Sequence, residues 1–207
     1  MASNNLAITN FEKNIDSVDE LMKLYKIVNE QLPLLNEQSA EILRAVIVLS
    51  VSALDNFLHD FYRTEIVEAY LGVGNFNIQF EKIRISIKGM GEIDSSSSIL
   101  EKRNYLTNEL RKIQKTDSYQ SSKSIENIFI TLNVKNVWTL LEKIGIDGLK
   151  ANDIKRELAN IIDRRNKISH ESDWDFINQK KYPISMQDIV DVVNFIKNLV
   201  KGINQIA

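Results

Sequence analysis

No cysteine occurs in the 207-residue chain, which excludes disulfides and cysteine-ligated zinc and leads us to expect a reducing, cytoplasmic setting. Proline is limited to two residues and glycine to seven, so a turn-rich β-architecture is disfavoured and helices are favoured. A basic-then-apolar leader is lacking, since Met1 to Asn14 is polar. The longest apolar stretch, Ala45 to Leu58, is broken by Ser50, Ser52, Asp55 and Asn56. That is too polar for a membrane span and suits a buried core helix. Charge of one sign is also lacking. The formal net charge of -2 argues against a general nucleic-acid coat protein but is silent on a single local basic spot. No Gly-rich phosphate loop, Ser/His/Asp signature or zinc spacing is present.

What is present is an ordinary globular composition, 43% hydrophobic and 26% charged, enough for one good core. The chain shows no internal repeat and no linker, so one domain over 1–207 is expected, with an irregular insertion at about 71–98. Apolar residues at Ile15, Val18, Leu21, Met22, Tyr25 and Val28 predict a helix from Ile15 to Leu35, ended by Pro33. A longer, more apolar helix is expected from about Ser39 to Tyr70, with Leu43, Ile47, Leu54, Leu58 and Phe61 on one stripe, as befits the centre of a bundle. From Leu71 to Ser98, Phe76, Ile78 and Phe80, then Ile83, Ile85 and Ile87, alternate. Gly89-Met90-Gly91 and a serine run follow, and the segment reads as a long ordered loop or hairpin. Helices are then expected over Ser98–Lys115, Ser124–Leu132, Val134–Ile144, Asn152 to about Ser169, and Ser185–Ile206. The fold class is all-α, a bundle of four main helices with shorter helices and one long ordered loop.

The helix from Asn152 breaks its own pattern. Ile154, Leu158, Ile161, Arg165 and Ile168 share one face, so a guanidinium takes an apolar position. Turning that charge into a core costs several kcal/mol unless it is paired or faces a cleft. Two readings stand side by side: Arg165 pairs with a buried carboxylate such as Asp55, or it serves a site. Asn166 and His170 are four apart, so Asn166 is placed to orient the imidazole. His170 at a helix C-terminus is also favourable against the dipole alone. Arg165 and His170 lie about 140° apart on an ideal helix, so one copy does not converge both on one point.

Arg165-Asn166-Lys167-Ile168-Ser169-His170 matches the Arg-polar-x-x-x-His signature of HEPN domains, many of which are ribonucleases. Further blocks resemble the RiboL-PSP-HEPN branch: Arg44-Ala45-Val46 with Val51 through Asp60, Tyr119-Gln120-Ser121 with Ile125 and Trp138, Arg164 through Asp173, and Tyr182-Pro183-Ile184. Together they cover roughly residues 35 to 205. The resemblance implies a HEPN-type bundle that dimerises with its motif helices facing across a two-fold axis, so that Arg165 and His170 of both copies line one cleft. It also implies toxin–antitoxin or phage-defence roles, with RNA as substrate and an antitoxin or defence-complex protein as a further partner. No cofactor, membrane or DNA is expected.

The chemistry expected of these residues is RNA cleavage by the 2′-hydroxyl without a metal. His170 would move protons near neutral pH, Arg165 would bind the phosphate, and Asn166 would orient His170 or touch the phosphate. Asp55, paired with Arg165 or His170, is a supporting candidate. His59, four residues on, is assigned a structural hydrogen bond. Arg164 and Lys167 are candidates for guiding the RNA backbone, although seven basic and five acidic residues between Lys155 and Lys181 also suit a solvated face. Trp174 is a candidate for stacking on a base, whereas Trp138, beside Val134, Val137 and Leu141, suits the core. His170, Asp173 and Asp175 form a sparse metal-ligand alternative. A non-catalytic module that binds RNA or a partner protein is the competing function.

Overall fold

A computed structural model describes residues 4–74 and 77–206. The chain forms helices α1 (Asn4–Gln31), α2 (Asn36–Tyr70), α3 (Ile87–Ser95), α4 (Ile99–Gln114), α5 (Ser122–Thr131), α6 (Val137–Ile144), α7 (Ala151–Glu171) and α8 (Met186–Ile206). A two-stranded antiparallel hairpin, β1 (Trp174–Asp175) and β2 (Lys180–Lys181), lies between α7 and α8. The fold is all-α apart from this hairpin. Helix α2 is its axis, with α1, α7 and α8 packed along it as the other main helices.

Periodicity explains most of these elements. In α1, Ala7, Phe11, Ile15 and Val18 recur at helical spacing and are all at most 5% exposed. The helix therefore starts well before Ile15, the expected start, because Ala7 and Phe11 extend the buried stripe. Its end comes at Gln31, just ahead of the Pro33–Leu35 3-10 turn, since a residue preceding proline is driven out of helical geometry. Phe11, Phe57, Phe61 and Phe129 link α1, α2 and α5 through ring contacts with centroids 5.9, 5.7 and 5.8 Å apart.

Helix α2 qualifies by length and composition alone as a membrane span, with a mean hydropathy of 1.5 in its most apolar window, contrary to the sequence expectation. Its packing tells more: 56% of that window is buried inside the bundle. This is the pattern of a core helix.

The region 71–98 departs from expectation. It contains a 3-10 turn at Phe80–Lys82 and the helix α3, and no hairpin forms among its described residues. Phe76, the first residue of the alternating pattern, lies outside the described residues. Gly89 falls inside α3, where a Cβ would sit 2.5 Å from the Glu109 carboxylate, so it marks a close helix approach. Ser86 caps α3 by accepting the Gly89 N–H at 3.0 Å, and Ser98 caps α4 by accepting the Glu101 N–H at 3.2 Å. Helices α3 and α4 bury Ile93, Leu106 and Leu110 against Ile66 and Val67 of α2, a second cluster separate from the main core.

Helix α7 begins without a cap of its own. Glu142 of α6 supplies one, accepting the Ala151 N–H at 2.9 Å. Its C-terminus turns through Ser172 and Asp173, both left-handed at φ 54° and 59°, and the Asp173 N–H returns to the Lys167 carbonyl at 3.0 Å. Asp173 has no exposed surface and binds two arginines. Arg44 of α2, 5% exposed, donates Nε to its Oδ2 at 2.7 Å, and Arg164 of α7 donates Nη2 to the same oxygen at 2.8 Å. Arg44 Nη2 also reaches the Tyr182 carbonyl at 2.7 Å, so the hairpin is tied to α2 on both sides.

Removing one partner of a buried ion cluster leaves the carboxylate undercompensated. Arg44→Met is expected to lower the unfolding free energy by about 3 kcal/mol, and Arg164→Met by less, its side chain being 26% exposed. Urea denaturation measures both, and an Arg44→Met midpoint equal to that of the wild type would refute the assignment.

Candidate active site

The Arg-polar-x-x-x-His segment occupies the last two turns of α7, which stays helical to Glu171 rather than ending near Ser169. The apolar stripe is buried at Ile154, Leu158 and Ile161, then emerges from the core, so that Arg165 and Ile168 are half-buried. The expected burial of the Arg165 charge is therefore only partial. Its Nε is nevertheless shielded from solvent and has no hydrogen-bond partner among the described residues. An orphaned donor of this kind costs about 1–3 kcal/mol, a cost that an incoming acceptor would relieve.

Asp55 does not take up Arg165 or His170. Its carboxylate accepts the backbone N–H groups of Tyr119 at 2.6 Å and Gln120 at 3.0 Å, and lies 3.7 Å from His59 Nε2. The His59 ring in turn rests on Tyr119 with centroids 4.5 Å apart. Burial opposes the Asp55 charge, but the His59 contact and the two N–H groups outweigh it and hold the carboxyl below its ordinary range. Asp55 and His59 thus fasten the segment before α5 to α2. The pairing of Asp55 with the motif is corrected: its Oδ1 binds a loop that the sequence could not place, and its Oδ2 faces His59.

The remaining candidates separate cleanly. Asn166 is half-buried and His170 exposed, and no hydrogen bond joins them in the described residues, although four-residue spacing puts them on adjacent turns. Arg164, expected as an RNA guide, also braces the fold, because its Nη2 donates to Asp173 and, at 3.0 Å, to the Pro183 carbonyl. It also stacks over Tyr182 at 5.5 Å. Lys167 is exposed, with Nζ 5.6 Å from the centroid of the same ring. Trp174 is half-buried within β1 opposite Lys181, which reduces its face for stacking. Trp138 is 3% exposed, as read for the core.

Asp173 and Asp175, weighed with His170 as metal ligands, are engaged elsewhere. Asp173 holds the two arginines, and Asp175 accepts the N–H groups of Ile177 at 3.0 Å and Asn178 at 3.1 Å. No cluster of three metal-ligating side chains occurs among the described residues. Arg44 is the residue that sequence reasoning passed over. A cation on the buried side of the most apolar helix was the available signal.

The arrangement on α7 offers a partly shielded guanidinium, an amide and an exposed imidazole along one helix end. With an unbroken helix, Arg165 and His170 keep their separation of about 140°. A family model described as RiboL-PSP-HEPN matches residues 12–207. No curated protein and no solved structure matches the chain. HEPN domains are often ribonucleases or RNA-binding modules.

The lowered Asp55 pKa gives a signed pH dependence. Its stabilisation is present above the ordinary carboxylate value of about 4 and is lost as pH falls through the depressed folded value. Asp55→Asn is therefore expected to melt at lower temperature than wild type at neutral pH and to converge with it in acid. Thermal melts across the acid range test this, and parallel curves at all pH values would contradict it.

Proposed function

The chain belongs to the RiboL-PSP-HEPN family, and from that premise we propose that it is a metal-independent endoribonuclease whose site is completed by a second copy. The observation that carries this reading is Arg165, whose Nε is buried without an acceptor among the described residues, beside Asn166 and five positions before the exposed His170. A phosphate group is the acceptor that suits it. Planar guanidinium donors match non-bridging oxygens and meet the negative charge that grows as the phosphorus becomes five-coordinate.

In the reaction the 2′-hydroxyl oxygen bonds to the adjacent phosphorus and the bond to the 5′-oxygen breaks. One proton leaves the hydroxyl and one reaches the leaving oxygen. An imidazole near its own pKa serves either transfer, worth roughly 10²–10⁴-fold in rate. Two histidines, one from each copy, provide a base and an acid at once. The angular separation of Arg165 and His170 on one helix supports this division between copies. So does the exposed face of α2, where Ala45, Leu49, Ser52 and Asn56 recur at helical spacing on a helix whose opposite side packs in the core. Leu49 is 42% exposed there. The biological role that fits is a toxin or phage-defence effector restrained by a partner protein.

Arg165→Ala and His170→Ala are each expected to lower cleavage of a fluorescent RNA by roughly 10²-fold or more, with helicity unchanged and with the wild-type rate insensitive to EDTA. Variants that cut RNA like wild type would end the proposal, and loss of activity with chelator would redirect it to metal chemistry. Leu49→Glu is expected to shift the protein from dimer to monomer in sedimentation and to take cleavage with it. A monomeric wild type that cleaves RNA would remove the shared site.

A further inference from the structure

The hairpin that follows the motif is hydrogen-bonded through its tip. Asp175 Oδ1 accepts the Ile177 and Asn178 N–H groups, its Oδ2 accepts Asn178 Nδ2 at 2.7 Å, and Gln179 Nε2 closes onto the Phe176 carbonyl at 2.7 Å. Below the tip, the Tyr182 N–H binds the Asp173 carbonyl at 2.9 Å and Lys181 pairs with Glu41 at 2.6 Å. Several polar groups of the turn thus pair with one another, and two large apolar side chains remain in water. Phe176 is 67% exposed and Ile177 91%. Among the described residues, neither packs into the two apolar clusters.

We propose that Phe176 is a stacking platform for a base of the RNA next to the cleaved phosphate. The inference rests on the ribonuclease reading above and names a substrate contact that reading does not contain. Placement supports it first: the hairpin leaves directly from the end of α7, with the Asp173 N–H bonded to Lys167 inside the motif. Size supports it next. A stable protein interface takes about 20–30 residues a side, whereas this tip presents two apolar side chains flanked by exposed Asn178, Gln179 and Lys180. One aromatic face matches one base, and single-stranded RNA is recognised through stacking on such rings. Lys180 in the hairpin and Lys167 near the end of α7 are exposed and suit the backbone phosphates. The hydrogen bonds within the turn matter as well, because a preorganised tip loses less conformational freedom on binding. Phe176 thereby replaces Trp174, whose ring is half-buried, as the aromatic contact of this segment.

The test uses the full-length protein and short 2′-O-methyl oligoribonucleotides, which lack the attacking hydroxyl, with 2-aminopurine placed at each position in turn. Wild type should quench the fluorophore at one position on binding. Phe176→Ala should bind roughly tenfold or more weakly and lose the quench. Phe176→Leu, which keeps apolar bulk without a ring face, should remain weak, and Phe176→Trp should restore affinity and quench. Equal binding by wild type and Phe176→Ala overturns the inference while leaving the ribonuclease reading intact. Phe176→Ala protein that dissociates in sedimentation but keeps the quench overturns it in favour of a protein contact. Absence of RNA binding by wild type overturns both.

Discussion

A carboxylate with no exposed surface must be neutralised where it sits, and Asp173 is neutralised twice, by Arg44 from α2 and Arg164 from α7. Lys181 and Glu41 extend the same alternation of charge outward to the hairpin base. Three elements meet at this point: the N-terminal part of the central helix, the end of the motif helix, and the hairpin behind it. The cluster dictates where α7 stops and how the chain leaves it. Asp173 adopts a left-handed backbone to reach its partners, and that geometry sets the hairpin directly beyond His170. Desolvating three charges is costly, so the cluster is better understood as fixing geometry than as adding stability outright.

This fixing separates two adjacent arginines that look equivalent in a list of basic residues. Arg164 gives its Nη2 to the brace and lays its guanidinium over the Tyr182 ring. Arg165, one position along, turns toward the emerging edge of the apolar stripe and keeps a shielded, unused donor. One arginine thus orders the helix end that the other depends on. Under the proposed function, the half-buried state of Arg165 combines a desolvated donor with a side chain that solvent still reaches in part.

The helices were legible because their signal is local. Stripes such as Ala7, Phe11, Ile15 and Val18, or Ile154, Leu158 and Ile161, follow the helical repeat and are buried as a set. Serine caps are equally local: the Ser98 and Ser185 hydroxyls accept the Glu101 and Asp188 N–H groups, each at 3.2 Å. The segment 71–98 was misread where two glycines looked like a turn. Gly89 lies inside a helix because α3 presses against Glu109, and Gly202 in α8 shows the same logic, with a Cβ falling 2.5 Å from Ile146. A glycine selected for close approach cannot be told from a turn glycine by its neighbours in the chain.

By itself, then, the sequence determined the all-helical class, the register of the motif on α7 and the separation of Arg165 from His170, since each depends only on residues within a few turns. Tertiary structure alone decided which charges are spent. Arg44 and Asp173 are 129 positions apart, and Asp55 meets Tyr119 across 64. Local spacing carries no record of such pairings, because they arise from helix packing rather than from helix formation. The same packing chose the exposed aromatic of the hairpin, drawing Trp174 inward and leaving Phe176 in water.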